Sequence, residues 1–182
     1  MAKNLTLAQV KKASKKLDET KVHIIEEGLY QDEQITFRVL FDNKTIEELL
    51  TEFGHLINEA KEKEITLSEQ MQINLLEMLT IKYFTHFKSS LPSTLLGKGK
   101  NAGMLDTLDH FYKTGLLSEC INKMFLPEQV NKVLGKMTDF AAAGLLAEDL
   151  NEQMMKKFEQ LQIKNANIFK ELDKMNTEND TQ

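Results

Sequence analysis

A mainly α-helical domain, with one β-hairpin near its N-terminus and a long C-terminal helix, is what the residue pattern of this 182-residue chain predicts. Apolar residues alternate with polar ones between Val22 and Phe41, which is the period of a half-buried strand. They then recur at helical spacing from Ile46 to Phe87 and again from Val130 to Phe140. Beyond Pro127 there is no proline, and beyond Phe140 the only glycine is Gly144, so nothing in the last 40 or so residues interrupts a helix.

The N-terminal segment reads as a short helix. Thr6 is placed to cap it with Gln9 three residues on, and Leu7, Val10, Ala13 and Leu17 form a stripe opposite Lys11, Lys12, Lys15 and Lys16. Val22 and Ile24 then alternate with His23, and Ile35, Phe37, Val39 and Phe41 alternate again after the polar span from Glu26 to Gln34. The two runs predict a hairpin over about 22–42, with Gly28, Gln31 and Asp32 suited to the turn and Leu29 and Tyr30 between them. An isolated hairpin is marginal in water, so one face must be covered by helices or by another chain.

Asp42 and Asn43 suit a cap for a helix whose stripe is Ile46, Leu49, Leu50, Phe53, Leu56, Ile57 and Ala60. After a charged joint at Lys61 to Glu64, a second helix is expected from Ser68 to about Lys88. Its apolar residues extend over most of the circumference, as in a helix buried by several neighbours. Residues 89–103, with Pro92, Gly97, Gly99 and Gly103, read as a mobile loop. Helical character returns at Met104, is interrupted near Gly115, and starts afresh at Pro127. The expected organisation is a domain over 1–147 and a C-terminal helix over 148–182 ending in a frayed tail.

Within that last helix Met154, Phe158, Leu161, Asn165, Ile168, Leu172 and Met175 are spaced four and three alternately, the a/d spacing of a coiled-coil seam with one asparagine at a. Phe158, Leu161, Asn165, Ile168 and Leu172 are the expected partner-facing positions. Met155, Ile163 and Phe169 widen the stripe, so packing back on the parent domain fits the same pattern.

Lys and Arg total 23 against 28 Asp and Glu, a formal charge of 23 − 28 = −5, which argues against a protein that coats duplex DNA by general electrostatics. Arg38 is the only arginine, whereas base readout and bidentate phosphate recognition lean on arginine. The sole cysteine, Cys120, cannot form an internal disulfide, and no apolar signal segment opens the chain, so a cytoplasmic location is expected. The apolar run Phe140 to Ala147 is far short of the roughly 20 residues a membrane helix needs.

No catalytic, cofactor or metal site is expected. His23, His55, His86 and His110 are scattered; Asp106 and His110 share a helix face and Cys120 follows, but no regular zinc spacing appears. Leu116, Leu117, Ile121 and Phe125 around Cys120 suggest a buried small hydrophobe rather than a nucleophile. The stretch Gly97-Lys98-Gly99-Lys100-Asn101-Ala102-Gly103 follows a helix and lacks the Lys-Ser/Thr of a phosphate-binding loop, so a solvated loop is the expected reading.

Taken in order, the second strand Ile35 to Asp42, the adjoining Thr45-Ile46-Glu47-Glu48-Leu49-Leu50, the buried helix closing in Tyr83-Phe84-Thr85-His86-Phe87 and the helical remainder resemble the tail assembly chaperones of long-tailed bacteriophages and of prophages in low-GC Gram-positive bacteria. The resemblance spans Val22 to Phe140. It implies a non-catalytic helper in the host cytoplasm that coats the tape measure protein or supplies tail-tube subunits, with apolar grooves and adaptable methionines on its binding surface. Two other readings stand beside it. One is a homo-oligomeric structural or adaptor protein joined through the last helix. The other is a helical regulator binding nucleic acid through Lys11, Lys12, Lys15, Lys16 and the loop lysines Lys98 and Lys100.

Overall fold

A computed structural model describes residues 4–97 and 101–140. The chain divides into two units, Met1–Met137 and Thr138–Gln182, and the account below concerns the first. The C-terminal helix expected over 148–182, with Phe158, Leu161, Asn165, Ile168 and Leu172, lies outside the described residues. What is described is mainly helical with one two-stranded antiparallel hairpin.

Helix α1, Leu7–Lys16, opens on a full capping box in which the Thr6 hydroxyl accepts from the Gln9 N–H and the Gln9 side chain accepts from the Thr6 N–H. No residue of α1 is buried. The hairpin follows as β1, Thr20–Ile24, and β2, Gln34–Arg38, paired with Val22 opposite Thr36 and His23 opposite Ile35. Ile35 and Phe37 turn inward, whereas Val22 and Ile24 lie on the other face and stay exposed. The second strand stops at Arg38, earlier than the alternation through Phe41 suggests, because Asp42 begins capping the next helix.

Helix α2, Asn43–Glu62, starts where Asp42 Oδ1 accepts the Thr45 N–H at 2.8 Å and Oδ2 accepts the Thr45 hydroxyl at 2.6 Å. Its stripe of Ile46, Leu49, Leu50, Phe53, Leu56 and Ala60 is buried as the spacing predicts. The C-terminal turn closes by Glu64 N–H to Lys61 O and Ile65 N–H to Ala60 O, which places Glu64 at φ 55°. Helix α3, Glu69–Phe84, is capped by Ser68 and buried around most of its girth. It ends four residues before the expected Lys88, because Thr85 turns extended and forms an isolated antiparallel bridge to Phe37. A 3₁₀ turn, His86–Ser89, follows.

Helix α4, Met104–Lys113, and the short α5, Leu116–Glu119, are joined at Gly115, whose φ of 74° is the left-handed region that glycine enters without strain. One π turn, Cys120–Met124, leads to α6, which is helical over 127–140. Phe41 is the hub of the core. Its ring stacks on Phe84 at 3.7 Å and 10°, and Phe125 meets it edge-on at 5.1 Å. Its backbone N–H donates to Gln129 Oε1, and Lys132 Nζ donates to its carbonyl, so the start of α6 is tied to the chain just before α2.

Candidate functional site

The hairpin connection carries Leu29, the most exposed large apolar side chain among the described residues. Ile25 N–H donates to Glu33 O and Asp32 N–H donates to Ile25 O, which closes residues 26–33 into a loop that passes through left-handed Gly28 and Asp32. At its tip Leu29 is 80% exposed and Tyr30 is more than a third exposed. Behind the tip lies a groove of about 450 Å³ lined by Ile25, Tyr30, Ile35, Phe87, Phe111 and Leu116, with Glu33, Gln34 and His86 at its polar side. An adjoining cleft of about 220 Å³ shares Ile25, Tyr30 and Leu116 and adds Glu27, Gly28, Leu29 and Glu119.

Each wall has a local cause. Phe87 is carried by the 3₁₀ turn that Thr85 starts, and it meets Phe111 of α4 edge-on at 5.8 Å. His86 Nδ1 accepts the Thr36 N–H at 3.2 Å, which ties the same turn to β2. Gly115 reverses the chain so that Leu116 enters the groove from below. The hairpin's inner face is held by His23, whose Nε2 lies 2.9 Å from Glu119 Oε1, while Lys123 holds the other oxygen at 2.9 Å. Burial alone would raise the Glu119 carboxyl, but the hydrogen bonds from His23 and Lys123 outweigh it and keep the group below its ordinary range.

The groove's rim is acidic. Glu26, Glu27, Asp32 and Glu33 are exposed, and no lysine or arginine falls between Ile25 and Ile35. Glu119 is engaged by His23 and Lys123, and Lys123 also lies within electrostatic reach of Glu26 and Glu27, so Glu33 is the groove-lining carboxylate most open to a newcomer.

A second polar cluster lies under residues 89–97. Lys82 is 3% exposed, and its Nζ donates to Glu52 Oε1 at 2.7 Å, to Pro92 O at 2.9 Å and to Ser93 Oγ at 2.7 Å. Glu52 Oε2 accepts from the Tyr83 hydroxyl, and burial followed by this bond pushes the phenol well above its ordinary value. Glu59 accepts the Leu95 N–H at 2.8 Å, which anchors the fully buried Leu95. Gly97 and Gly103 pack backbone to backbone: a Cβ at either would overlap main-chain atoms of the other arm. Ser93 sits beside a lysine nitrogen, the arrangement of a Ser-Lys nucleophile, but an ammonium engaged by three acceptors has no lone pair to take the serine proton. The cluster fastens the loop's near arm to α2 and α3.

The sequence candidates for chemistry separate. Asp106 turns its carboxylate back to the Gly103 N–H, His110 bonds the Asp106 carbonyl, and Cys120 is fully buried with its thiol pushed up to about 12 by burial and then by Glu119. Among the described residues no three His, Cys, Asp or Glu side chains are grouped to hold a metal, and no helix is long and apolar enough to cross a membrane. Sequence reasoning missed the groove and the Lys82 cluster. The signals were present: two large apolar residues inside an acidic turn, and the one lysine of α3, set between Ile81 and Tyr83 in the helix's apolar C-terminal half. No family model, curated protein or solved structure matches this chain.

Proposed function

We propose that this chain is a non-catalytic protein-binding factor, of the kind its resemblance to phage tail assembly chaperones implies, and that it grips its client through the groove at the hairpin end. The observation that carries the proposal is the exposed pair Leu29 and Tyr30 at the mouth of a groove walled by Phe87 and Phe111 and floored by Ile25, Ile35 and Leu116, beside an acidic rim. Exposed apolar surface edged by charge is the signature of a docking site, and carboxylates at the edge select a client whose apolar anchors are flanked by lysine or arginine. Tail tube and tape measure proteins are the clients the resemblance names.

The test is capture from nuclease-treated lysate of the protein's own host after prophage induction, with the wild-type chain and with Leu29→Glu/Tyr30→Glu side by side. Both positions are exposed, so the variant should melt like the parent. Tail tube or tape measure protein retained by the parent and lost by the variant supports the reading. Equal recovery by both, or recovery of neither protein, refutes it.

A further inference from the structure

Helix α1 presents the opposite of the groove. Its ten residues contain no buried side chain, Leu7 is 70% and Val10 46% exposed, and the helix carries four lysines with no acidic residue between Asn4 and Leu17. On a helical wheel Leu7, Val10 and Leu17 share one stripe, with Lys11 and Lys15 along one border and Lys16 beyond Ala13 on the other. A ten-residue helix is too short to be stable alone in water, and a capping box plus two lysines in its last turn supply only part of what is missing. Something must cover the stripe.

We infer that α1 of one copy lies in the hairpin groove of a second copy, reciprocally, with its Leu7, Val10 and Leu17 stripe on Tyr30, Phe111 and Leu116 and the bordering Lys11 and Lys15 against Glu27 and Glu33. Lys11 and Lys15 border the stripe closely, whereas Lys12 projects from the opposite side of the helix; residues 26–33, which the stripe's border would meet, carry four acids and no basic residue. Long lysine stems lie along apolar surface while their ammonium groups reach the edge, which suits a stripe bordered by lysines entering a groove bordered by carboxylates. Placement favours exchange over folding back. α1 joins β1 at Thr20, which pairs with Arg38, whereas the groove opens at the far end, beyond the pair Ile24 and Gln34. The joint is short. Glu19 O already accepts the Val39 N–H, and the Asp18 and Glu19 N–H groups donate to Lys15 O and Lys16 O, so the chain leaves α1 through a fastened turn.

This inference uses the groove of the proposed function but is tested without any client, so the two fail separately. The full chain is examined by sedimentation velocity, together with Lys11→Glu/Lys12→Glu/Lys15→Glu/Lys16→Glu and, separately, Glu26→Lys/Glu27→Lys/Glu33→Lys. Every substituted residue is exposed, and far-ultraviolet circular dichroism and the melting temperature verify the folds. The parent should be a dimer that weakens with salt. Each reversal alone should weaken it about 100-fold, and an equimolar mixture of the two, in which both grooves again face opposite charge, should restore dimers that pair one variant with the other. A monomeric parent, a dimer indifferent to either reversal, or a mixture that stays monomeric would overturn the inference. The Leu7→Asp/Val10→Asp variant is the apolar control: it should be monomeric whatever the salt concentration, and a persisting dimer would place the contact elsewhere.

Discussion

Replacing Lys82 by methionine removes the one ammonium that three chain segments share. Methionine keeps most of the aliphatic stem, so the loss is chiefly of the bonds to Glu52, Pro92 O and Ser93 Oγ. Breaking a buried pair by deleting one partner costs about 3–5 kcal/mol, because the other charge is left without compensation. Here the lower end applies: Glu52 keeps the Tyr83 hydroxyl at 2.7 Å, and its side chain is 12% exposed, so water can reach it. About 3 kcal/mol divided by a urea slope near 2 kcal/mol per molar predicts a midpoint lower by about 1.5 M. The companion variant Glu52→Leu/Lys82→Met takes both charges away together and should recover a large part of that loss, although it strands the Tyr83 hydroxyl. Urea unfolding followed by tyrosine fluorescence and circular dichroism measures both. A Lys82→Met midpoint within about 0.3 M of the parent would refute the view that this ammonium fastens residues 92 and 93 to α2 and α3.

Three further outcomes follow from the same structure. Glu64→Gly should raise stability by about 1 kcal/mol in thermal unfolding, because Glu64 sits at φ 55° in the αL position of a helix-ending turn where glycine has no Cβ to strain. Burial raises the carboxyl of Glu77, which has no hydrogen-bond or ion-pair partner among the described residues, so its ionised form penalises the fold above that raised value and the penalty vanishes below the ordinary 4.5. Glu77→Gln should therefore raise the urea midpoint at pH 7 and leave it unchanged at about pH 4. The opposite sign holds for Asp42, Glu59 and Glu119, where burial pushes upward but hydrogen bonds and neighbouring cations win: Thr45 and Arg38 at Asp42, Leu95 and Lys63 at Glu59, His23 and Lys123 at Glu119. The stability these three supply is complete above their ordinary values and fades as pH falls through their lowered ones. Acid unfolding should thus set in below about pH 4, and Glu119→Gln should remove part of the slope.

The elements with strong periodicity were legible because their cause is local. The Thr6 and Gln9 pair, the Asp42 cap, the stripe from Ile46 to Ala60 and the restart at Pro127 each depend on residues within one or two turns. The end of α3 was not legible, since His86, Phe87 and Lys88 continue a helical pattern and only the bridge between Thr85 and Phe37, nearly fifty residues apart, halts it. The groove was illegible for the same reason. Ile25, Ile35, Phe87, Phe111 and Leu116 lie on separate elements, and each has an ordinary core reading in sequence. Lys82 was hidden by its burial: a lone lysine among apolar neighbours near the end of α3 reads as snorkelling until Glu52 and the Pro92 carbonyl are placed around it.

Why the open surface gathers at one end follows from how the hairpin is built. A two-stranded sheet has an inner face, here Ile35 and Phe37, against which Thr85 and Phe125 pack, and an outer face, Val22 and Ile24, which stays about half exposed. The strand ends are less well served than the middle. At the Thr20 end Arg38 pairs with Asp42 and the chain passes straight into the α2 cap, so little apolar area is left open. At the Ile24 end the connection must project past the body, because the His23 link to Glu119 and the His86 bond to Thr36 are the last ties before the turn. Beyond those ties Leu29 projects into solvent while Tyr30 leans back over the groove, and the acids around them keep an exposed apolar tip soluble. The same carboxylates that prevent indiscriminate self-association would admit a basic helix, so solubility and partner choice at this end rest on one set of charges.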